Sequence, residues 1–419
     1  MSWRKNTDKL KMKNRLQHDF DQMSRFGALP GGGVTRIAFT REDFQARNWL
    51  KLQMEKAGLT VSIDAVGNMR GRRAGEQELP PVMMGSHLDT VPQGGNYDGV
   101  VGVLAALEVI RCLNDRQLVT KRPVEVINFS AEESSRFGVG TLGSKAMTGK
   151  IDLKTAKTLM DKEGVSLYQA LKNNSFPVDD MDSARVLPGQ IHGFVEMHIE
   201  QGPVLESRKC SVGIVTAIAA ATRFKVAITG RSDHSGSTPM DMRRDALAGA
   251  SELILGVERI AGKEAGKSTV GTVGYCFVTP GSVNVVPGVV ELGIDIRDTN
   301  LRDKERAASS VKTLMDQIAE RRGLTIASHQ LCNDTPVNLS EKMILTLKAA
   351  AHKTHQSCIL LPSGAGHDAM NMAQITNVGM IFIPSLGGIS HNTAEYSHMK
   401  DIEAGSRVLL ETIIQLARE

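Results

Sequence analysis

The stretch Val82-Met-Met-Gly-Ser-His-Leu-Asp-Thr-Val-Pro-Gln-Gly-Gly-Asn-Tyr-Asp-Gly99 decides the fold. Val82 to Met84 is a short apolar run and reads as a buried strand. His87 and Asp89 stand directly after it, in Ser-His-Leu-Asp-Thr. Gly-Gly-Asn-Tyr-Asp-Gly then turns the chain, and a helical pattern runs from Asp98 to Leu113. Val124-Glu-Val-Ile-Asn-Phe129 reads as the next strand, Phe194 to Ile199 as another and Met380 to Ile383 as another. Strands alternating with helices predict an α/β sheet with helices on its faces. Each strand leads to a histidine or an acid. Glu132 and Glu133 follow the second, His198 lies in the third, and His391 follows the fourth across Pro-Ser-Leu-Gly-Gly-Ile-Ser. Sites in open α/β sheets form outside the carboxyl ends of strands, so this shared placement predicts that the residues meet.

Working outward, Asp8 to Phe26 has the pattern of an amphipathic helix. Thr40-Arg-Glu-Asp43 resembles a capping box that opens a helix through Ala57, with Gly58 as its C-cap. The middle of the chain differs. Thr222 to Gly230 alternates like a strand, Asp245 to Ile260 reads as a helix, and Thr269 to Val278 and Val289 to Arg297 are strand-like. A further helix is expected near Asp303 to Arg321. The expected fold class is therefore α/β: a catalytic domain, 1–212 and 333–419, with a mixed sheet flanked by helices, interrupted by a smaller α+β domain, 213–332.

A chain of 419 residues suggests two domains, and 41% hydrophobic with 23% charged residues is ordinary for a soluble globular protein. The net charge of +4 is nearly neutral over this length, and no basic patch stands out, which argues against a nucleic-acid partner. The five cysteines are odd in number, far apart and without a C-x-x-C, so reduced, buried thiols are expected rather than a disulfide framework. The N-terminal stretch lacks a signal-type apolar core. The most apolar run, Gly99 to Ile110, contains Glu108 and is too short to span a bilayer. These readings predict a cytoplasmic protein with no membrane partner.

Three histidines with two or three carboxylates suit zinc, or manganese, cobalt or nickel. One carboxylate can bridge two ions, and two ions about 3.5–4 Å apart polarise a carbonyl and acidify a water between them. The adjacent Glu132 and Glu133 point in different directions, so one can ligate while the other acts as general base. Asp89 is placed to orient the His87 imidazole. Singly, these residues have plainer readings: Asp98 as a helix N-cap, the Glu-Glu pair as solvated surface, His87 or His391 as hydrogen-bonded or surface histidines. The combination carries the inference.

At these residues the sequence resembles the M20-type metallopeptidases, and within them the amidase, hydantoinase/carbamoylase branch. The resembling segments are Gly-Gly-Gly-Val-Thr-Arg at 31–36, Gly-Ser-His-Leu-Asp-Thr-Val-Pro at 85–92, Gly-Gly-Asn-Tyr-Asp-Gly at 94–99, Ala-Glu-Glu-Ser-Ser-Arg-Phe-Gly at 131–138, His-Ile-Glu-Gln-Gly-Pro-Val-Leu-Glu at 198–206 and Ser-Gly-Ala-Gly-His-Asp-Ala at 363–369. The resemblance implies two divalent metal ions per subunit. His87 and His198 would each hold an ion, Asp98 would bridge, Glu133 and His391 would complete the set, and Glu132 would be the general base. It also implies that the inserted domain serves as a lid and a homodimer interface. His234, in Arg231-Ser-Asp-His-Ser-Gly-Ser-Thr-Pro-Met240, would reach a partner's active site and stabilise the oxyanion.

Gln201, Asn284 and Arg297 match substrate-binding positions, the last two for a carboxylate that Arg pairs with bidentately. Plainer readings are a turn residue for Asn284 and an ion pair with Asp295 or Asp298 for Arg297. His367 and Asp368 would fix a loop, and Gly364 to Gly366 would offer backbone donors. The implied activity is hydrolysis of a carbamoyl or linear amide C–N bond in a small carboxylate-bearing substrate. An N-carbamoyl-L-amino acid comes first, then allantoate, then a β-ureido acid, with M20 aminopeptidase activity less favoured. A non-catalytic binding member of the fold is the alternative of a different class.

Overall fold

The protein, described here from a computed structural model, is resolved over residues 2–419, with side chains from residue 10 onward. It divides into two compact units. The first comprises 1–216, 339–361 and 367–419, and the second 217–338 with 362–366. The boundaries therefore lie a few residues beyond 212 and 333, and the short segment 362–366 joins the second unit although it is remote from it in sequence.

In the first unit, seven strands of a nine-stranded sheet run in the order Thr60–Ile63, Met69–Arg73, Val124–Phe129, Val82–His87, Gly193–Ile199, Asn377–Ile383, Val212–Ile218, and Cys358–Ser363 also pairs with the last of these. The sheet is mixed. Val82–His87 is parallel to both of its neighbours, and Asn377–Ile383 is parallel to Gly193–Ile199. The outer pairs are antiparallel. The four central strands are almost continuously buried because helices cover both faces, as parallel sheets require. The α/β class with a mixed sheet flanked by helices, expected from the sequence, is the observed one.

Helix Val100–Asp115 packs on this sheet and beneath Ser2–Met23 and Met399–Leu416. It buries 13 of its 16 residues, which accounts for its lack of a polar face. Its one buried acid, Glu108, is fully enclosed and is met by the Arg15 guanidinium through Nη2–Oε1 at 2.6 Å and Nε–Oε2 at 3.0 Å. The capping reading at residue 40 agrees in part. The Thr40 hydroxyl accepts the Asp43 N–H, but the Asp43 carboxylate turns to the Phe39 N–H and not to residue 40. Gly58 takes a positive φ at the helix end.

In the second unit, a four-stranded antiparallel sheet runs Thr325–Asn333, Ala220–Thr229, Val289–Asp298, Val270–Thr279. Helices Ala246–Arg259 and Leu301–Arg322 pack on it through Val290, Leu292, Ile294 and Ile296. The second helix starts two residues before the expected Asp303, because the Asn300 side chain caps the N–H groups of Arg302 and Asp303.

Among the described residues all five cysteines are free, but only Cys112 is buried. Cys276 is exposed on a strand and the other three are half-buried, so the expectation of buried thiols fails for four of the five. No helix among the described residues is long and apolar enough to cross a membrane.

Removing one partner of a buried ion pair strands the other charge. Arg15→Met should therefore lower the unfolding free energy by about 3 kcal/mol in urea titrations. The double variant Arg15→Met/Glu108→Leu should regain most of it; a double variant as unstable as the single one would contradict the assignment.

Candidate metal centre

The three central strands of residues 82–87, 124–129 and 193–199, together with 377–383, run in one direction, so their carboxyl ends share one edge. His87 is the last residue of its strand. Its Nδ1 lies 2.9 Å from the Asp89 carbonyl, which fixes the proton there and leaves the Nε2 lone pair facing inward. His198 likewise has Nδ1 3.0 Å from the Ile199 carbonyl, while its Nε2 accepts the Gly99 N–H at 3.0 Å. Asp98 stands just before helix Val100–Asp115. It is not the N-cap; that position is Gly99, with φ +66° and no side-chain cap. A Cβ at residue 99 would lie 2.3 Å from His87 Nε2, so only glycine lets the turn pass the imidazole.

Asp98 presents one oxygen to each of two groups. Oδ1 lies 3.6 Å from His87 Nε2 and 3.2 Å from His198 Nε2; Oδ2 lies 3.4 Å from His391 Nε2. Glu133 Oε1 is also 3.4 Å from His391 Nε2. Ligand atoms of His87, Asp98 and His198 lie within 4.8 Å of one another, and so do those of Asp98, Glu133 and His391. Glu132 faces the first of these sets, with Oε2 3.6 Å from His87 Nε2, and is not part of either.

Asp89 acts differently from expectation. Its carboxylate is 3.8 Å from His87 Nδ1 and accepts instead the backbone N–H groups of Glu132, at 3.2 Å, and Glu133, at 3.0 Å. The imidazole is oriented by the residue's main-chain carbonyl, and the side chain fixes the Glu-Glu turn that follows Ala131 at φ +49°. The segment carrying His87 and Asp89 is tied to the 31–36 motif: Arg36 Nε donates to the Leu88 carbonyl at 2.7 Å, and residues 36 and 90 exchange two further bonds.

Charge in this pocket is crowded. Burial pushes Glu133 up to about 8, helped by the charge on Asp98. Burial, then Glu133 and Asp368, raise Glu132 well above its ordinary range. Burial would raise Asp98 too, but the charge of His198 and the hydrogen bonds of His198 and His391 outweigh it and hold the carboxyl well below the usual value. His391 rises to about 9 through its bond to Asp98. His198 also rises to about 9, Asp98 overcoming the opposing effect of burial. His87 falls to about 4 because burial dominates. The carboxyl groups of Asp98, Glu132 and Glu133 each lie within 3.6 Å of an imidazole nitrogen. Imidazole nitrogens with carboxylate oxygens, packed this closely around one shared acid, fit two divalent cations of the zinc or manganese type.

Gln201, at φ +57°, donates from Nε2 to Asp98 Oδ2 at 2.7 Å, while its Oε1 is buried without a partner. A buried acid beside this centre has no part in the sequence reading. Glu196, two residues before His198 on one strand, accepts from Ser86 Oγ at 2.7 Å and from the Ala369 N–H at 2.9 Å. The spacing of two from a histidine was its signal. His367 is buried with its ring 4.6 Å from that of His198, and Asp368 raises Glu132 by its charge, so both lie deeper in the centre than a loop-fixing role implies.

The remaining candidates belong to the second unit. Arg297 forms the plainer contact, a forked pair with Asp295 at 2.9 and 3.1 Å; residues two apart on a strand share a face. Its Nη1 donates to the Gly364 carbonyl. His234 is exposed, and its Nδ1 accepts the N–H groups of Gly236 and Ser237, which leaves the ring proton on Nε2. Asn284 is exposed, and its carbonyl accepts the Ser235 N–H.

The sequence profile of peptidase family M20/M25/M40 matches residues 83–415. The chain is similar to an N-carbamoyl-L-amino-acid amidohydrolase of Pseudomonas sp. (strain NS671), 39% identical over 96% of this chain and 98% of that protein. It is also 39% identical to a ureidoglycolate hydrolase of Arabidopsis thaliana, over 96% of this chain and 86% of that one. Among solved structures, a hydantoinase/carbamoylase family amidase from Burkholderia multivorans superposes with a TM-score of 0.90 at 35% identity, covering 97% and 98% of the two chains. The protein belongs to peptidase family M20/M25/M40. It is an enzyme, a hydrolase of carbon–nitrogen amide bonds.

Metal ligands bind deprotonated. Glu133 near 8 and His198 and His391 near 9 carry protons at neutral pH in the metal-free protein. Loading should therefore release protons, and affinity should climb as pH rises from 6 to 9. Calorimetry of Mn²⁺ binding in buffers of different ionisation enthalpy measures this; identical heats in all buffers would contradict it.

Proposed function

We propose that this enzyme hydrolyses the carbamoyl C–N bond of an N-carbamoyl-L-amino acid, yielding the amino acid, ammonia and carbon dioxide. The observation that supports it most is Asp98, whose two oxygens face separate ligand sets beside a second, unshared acid, Glu132. His87, Asp98 and His198 would hold one divalent ion, and Asp98, Glu133 and His391 the other. When bound, two such ions polarise a carbonyl and make a nearby water a better nucleophile at neutral pH.

The chain's own groups do the rest. Glu132, crowded by Glu133 and Asp368, has a strong affinity for a proton. It takes one from the attacking water and returns it to the departing nitrogen, so that one C–O bond forms as one C–N bond breaks; the carbamic acid left behind then loses its remaining C–N bond, giving ammonia and carbon dioxide. Asp89 keeps Glu132 and Glu133 divergent through their main-chain N–H groups. His234, with its proton on Nε2, is a donor suited to the oxyanion that develops on the carbonyl, supplied to a partner subunit of a homodimer. Asn284 and Arg297 bind the substrate carboxylate, which then competes with Asp295 for the guanidinium fork. Gln201 Oε1, unpartnered, is an acceptor for a ureido N–H. The second unit acts as the lid and dimerisation domain.

Ureidoglycolate, allantoate and N-carbamoyl-β-alanine offer the same ureido and carboxylate groups at other spacings, and the similarity to a ureidoglycolate hydrolase supports that second reading. Assays on these three and on N-carbamoyl-L-methionine should give the highest kcat/KM with the last. Turnover of simple dipeptides but of none of these acids would overturn the proposal. Glu132→Gln should keep its bound metal and lose about 10²–10⁴-fold in kcat. His234→Ala should lose about 10²–10³-fold in kcat.

A further inference from the structure

Past His391 the chain reads Asn-Thr-Ala-Glu395, and the mechanism gives that carboxylate no part. Glu395 is 5% exposed. Its Oε1 accepts the backbone N–H groups of Tyr97, at 2.9 Å, and Asp98, at 3.1 Å. Its Oε2 lies 3.0 Å from Ser390 Oγ, and the same hydroxyl lies 2.8 Å from Asp98 Oδ2. Glu395 therefore holds the main chain of residue 98 directly and reaches its side chain through Ser390. The fit is tight: a Cβ on Gly95 would lie 2.2 Å from Glu395 Oε1, so the turn at 94–98 is wrapped around this carboxylate.

The second turn involved is equally constrained. Ser390 directly precedes His391, which sits at φ +54°, a left-handed conformation that a histidine keeps only where its surroundings impose it. Ser390 has a single proton to give. Donated to Glu395, it leaves a lone pair of Asp98 Oδ2 free for a cation. Donated to Asp98, it would occupy that lone pair. An acceptor on the far side of the hydroxyl thus decides how available the shared oxygen is.

We propose that Glu395 is a positioning residue of the metal centre: it fixes Asp98 through two main-chain N–H groups and, by drawing on the Ser390 hydroxyl, presents Asp98 Oδ2 beside His391 for ion binding. This rests on the two-ion reading above. Glu395 acts through Asp98 and Ser390, without contact with the substrate.

The test is Mn²⁺ titration of the metal-stripped full-length protein by calorimetry, with metal content per subunit, for wild type, Glu395→Ala, Glu395→Gln and Ser390→Ala. Glu395→Ala should weaken Mn²⁺ binding by about 10–100-fold, while KM for N-carbamoyl-L-methionine at saturating Mn²⁺ stays near the wild-type value. Glu395→Gln keeps an oxygen for the two N–H groups but turns an NH2 donor toward Ser390, so it should recover only part of the loss. Ser390→Ala should weaken binding several-fold with the circular dichroism and melting of the metal-free protein unchanged, and it decides the matter alone if Glu395→Ala does not fold. Affinities of Glu395→Ala and Ser390→Ala both within about threefold of wild type would overturn the inference. Wild-type protein that takes up no Mn²⁺, Zn²⁺ or Co²⁺ would overturn the two-ion reading beneath it, a result read before any variant is made.

Discussion

The first unit is organised around a repulsion. Asp89, Asp98, Glu132, Glu133 and Glu395 are brought within a few bonds of one another below the protein surface, and burial favours the protonated form of each, an effect that neighbouring histidines overcome at Asp98. Apolar packing does not hold such groups together, because it favours their removal from one another. The chain restrains them with main-chain donors. Asp89 takes the N–H groups of residues 132 and 133, Glu395 those of 97 and 98, and Glu200 those of 204 and 205. Each acid pins the turn that follows a different strand end, so the network of turns is stitched by carboxylates.

This stitching works because the sheet supplies a common edge. Parallel neighbours must end on the same side, and crossover segments return the chain to the opposite side before each new strand begins. Residues far apart in sequence then arrive at one rim with no need for sequence proximity. The shared acid, Asp98, lies just before the helix Val100–Asp115, whose position is set by packing between sheet and outer helices. Backbone placement at that rim is therefore inherited from the hydrophobic core, while the last ångström comes from hydrogen bonds.

The sequence made the central strands legible because their burial on both faces leaves apolar runs, as in Val82–Met84 and Val124–Phe129. Thr60–Ile63 and Met69–Arg73 escaped notice. The first is largely exposed, and the second is rich in arginine, its charges answered across the sheet by Glu125. The short helices at Leu142–Met147, Leu153–Thr158 and Leu167–Asn173 are too brief to show a period, and form around their own apolar cluster. At the rim, the histidines and acids could be picked out from their position after strands. The turning of Asp89 away from His87, and the reach of Glu395 across 297 residues to Asp98, depend on long-range hydrogen bonds that leave no local pattern. Arg297 and Asp295 were legible as a pair because a spacing of two on a strand is a local fact.

The position of Asn377–Ile383 has a consequence for how the molecule is made. That strand lies in the sheet between Gly193–Ile199 and Val212–Ile218, yet the ribosome produces it only after all of the second unit. Until then a slot stays open in the nascent sheet, lined by unpaired amides of both neighbours. A late-made strand thus completes the sheet and carries the chain on to the last imidazole, His391.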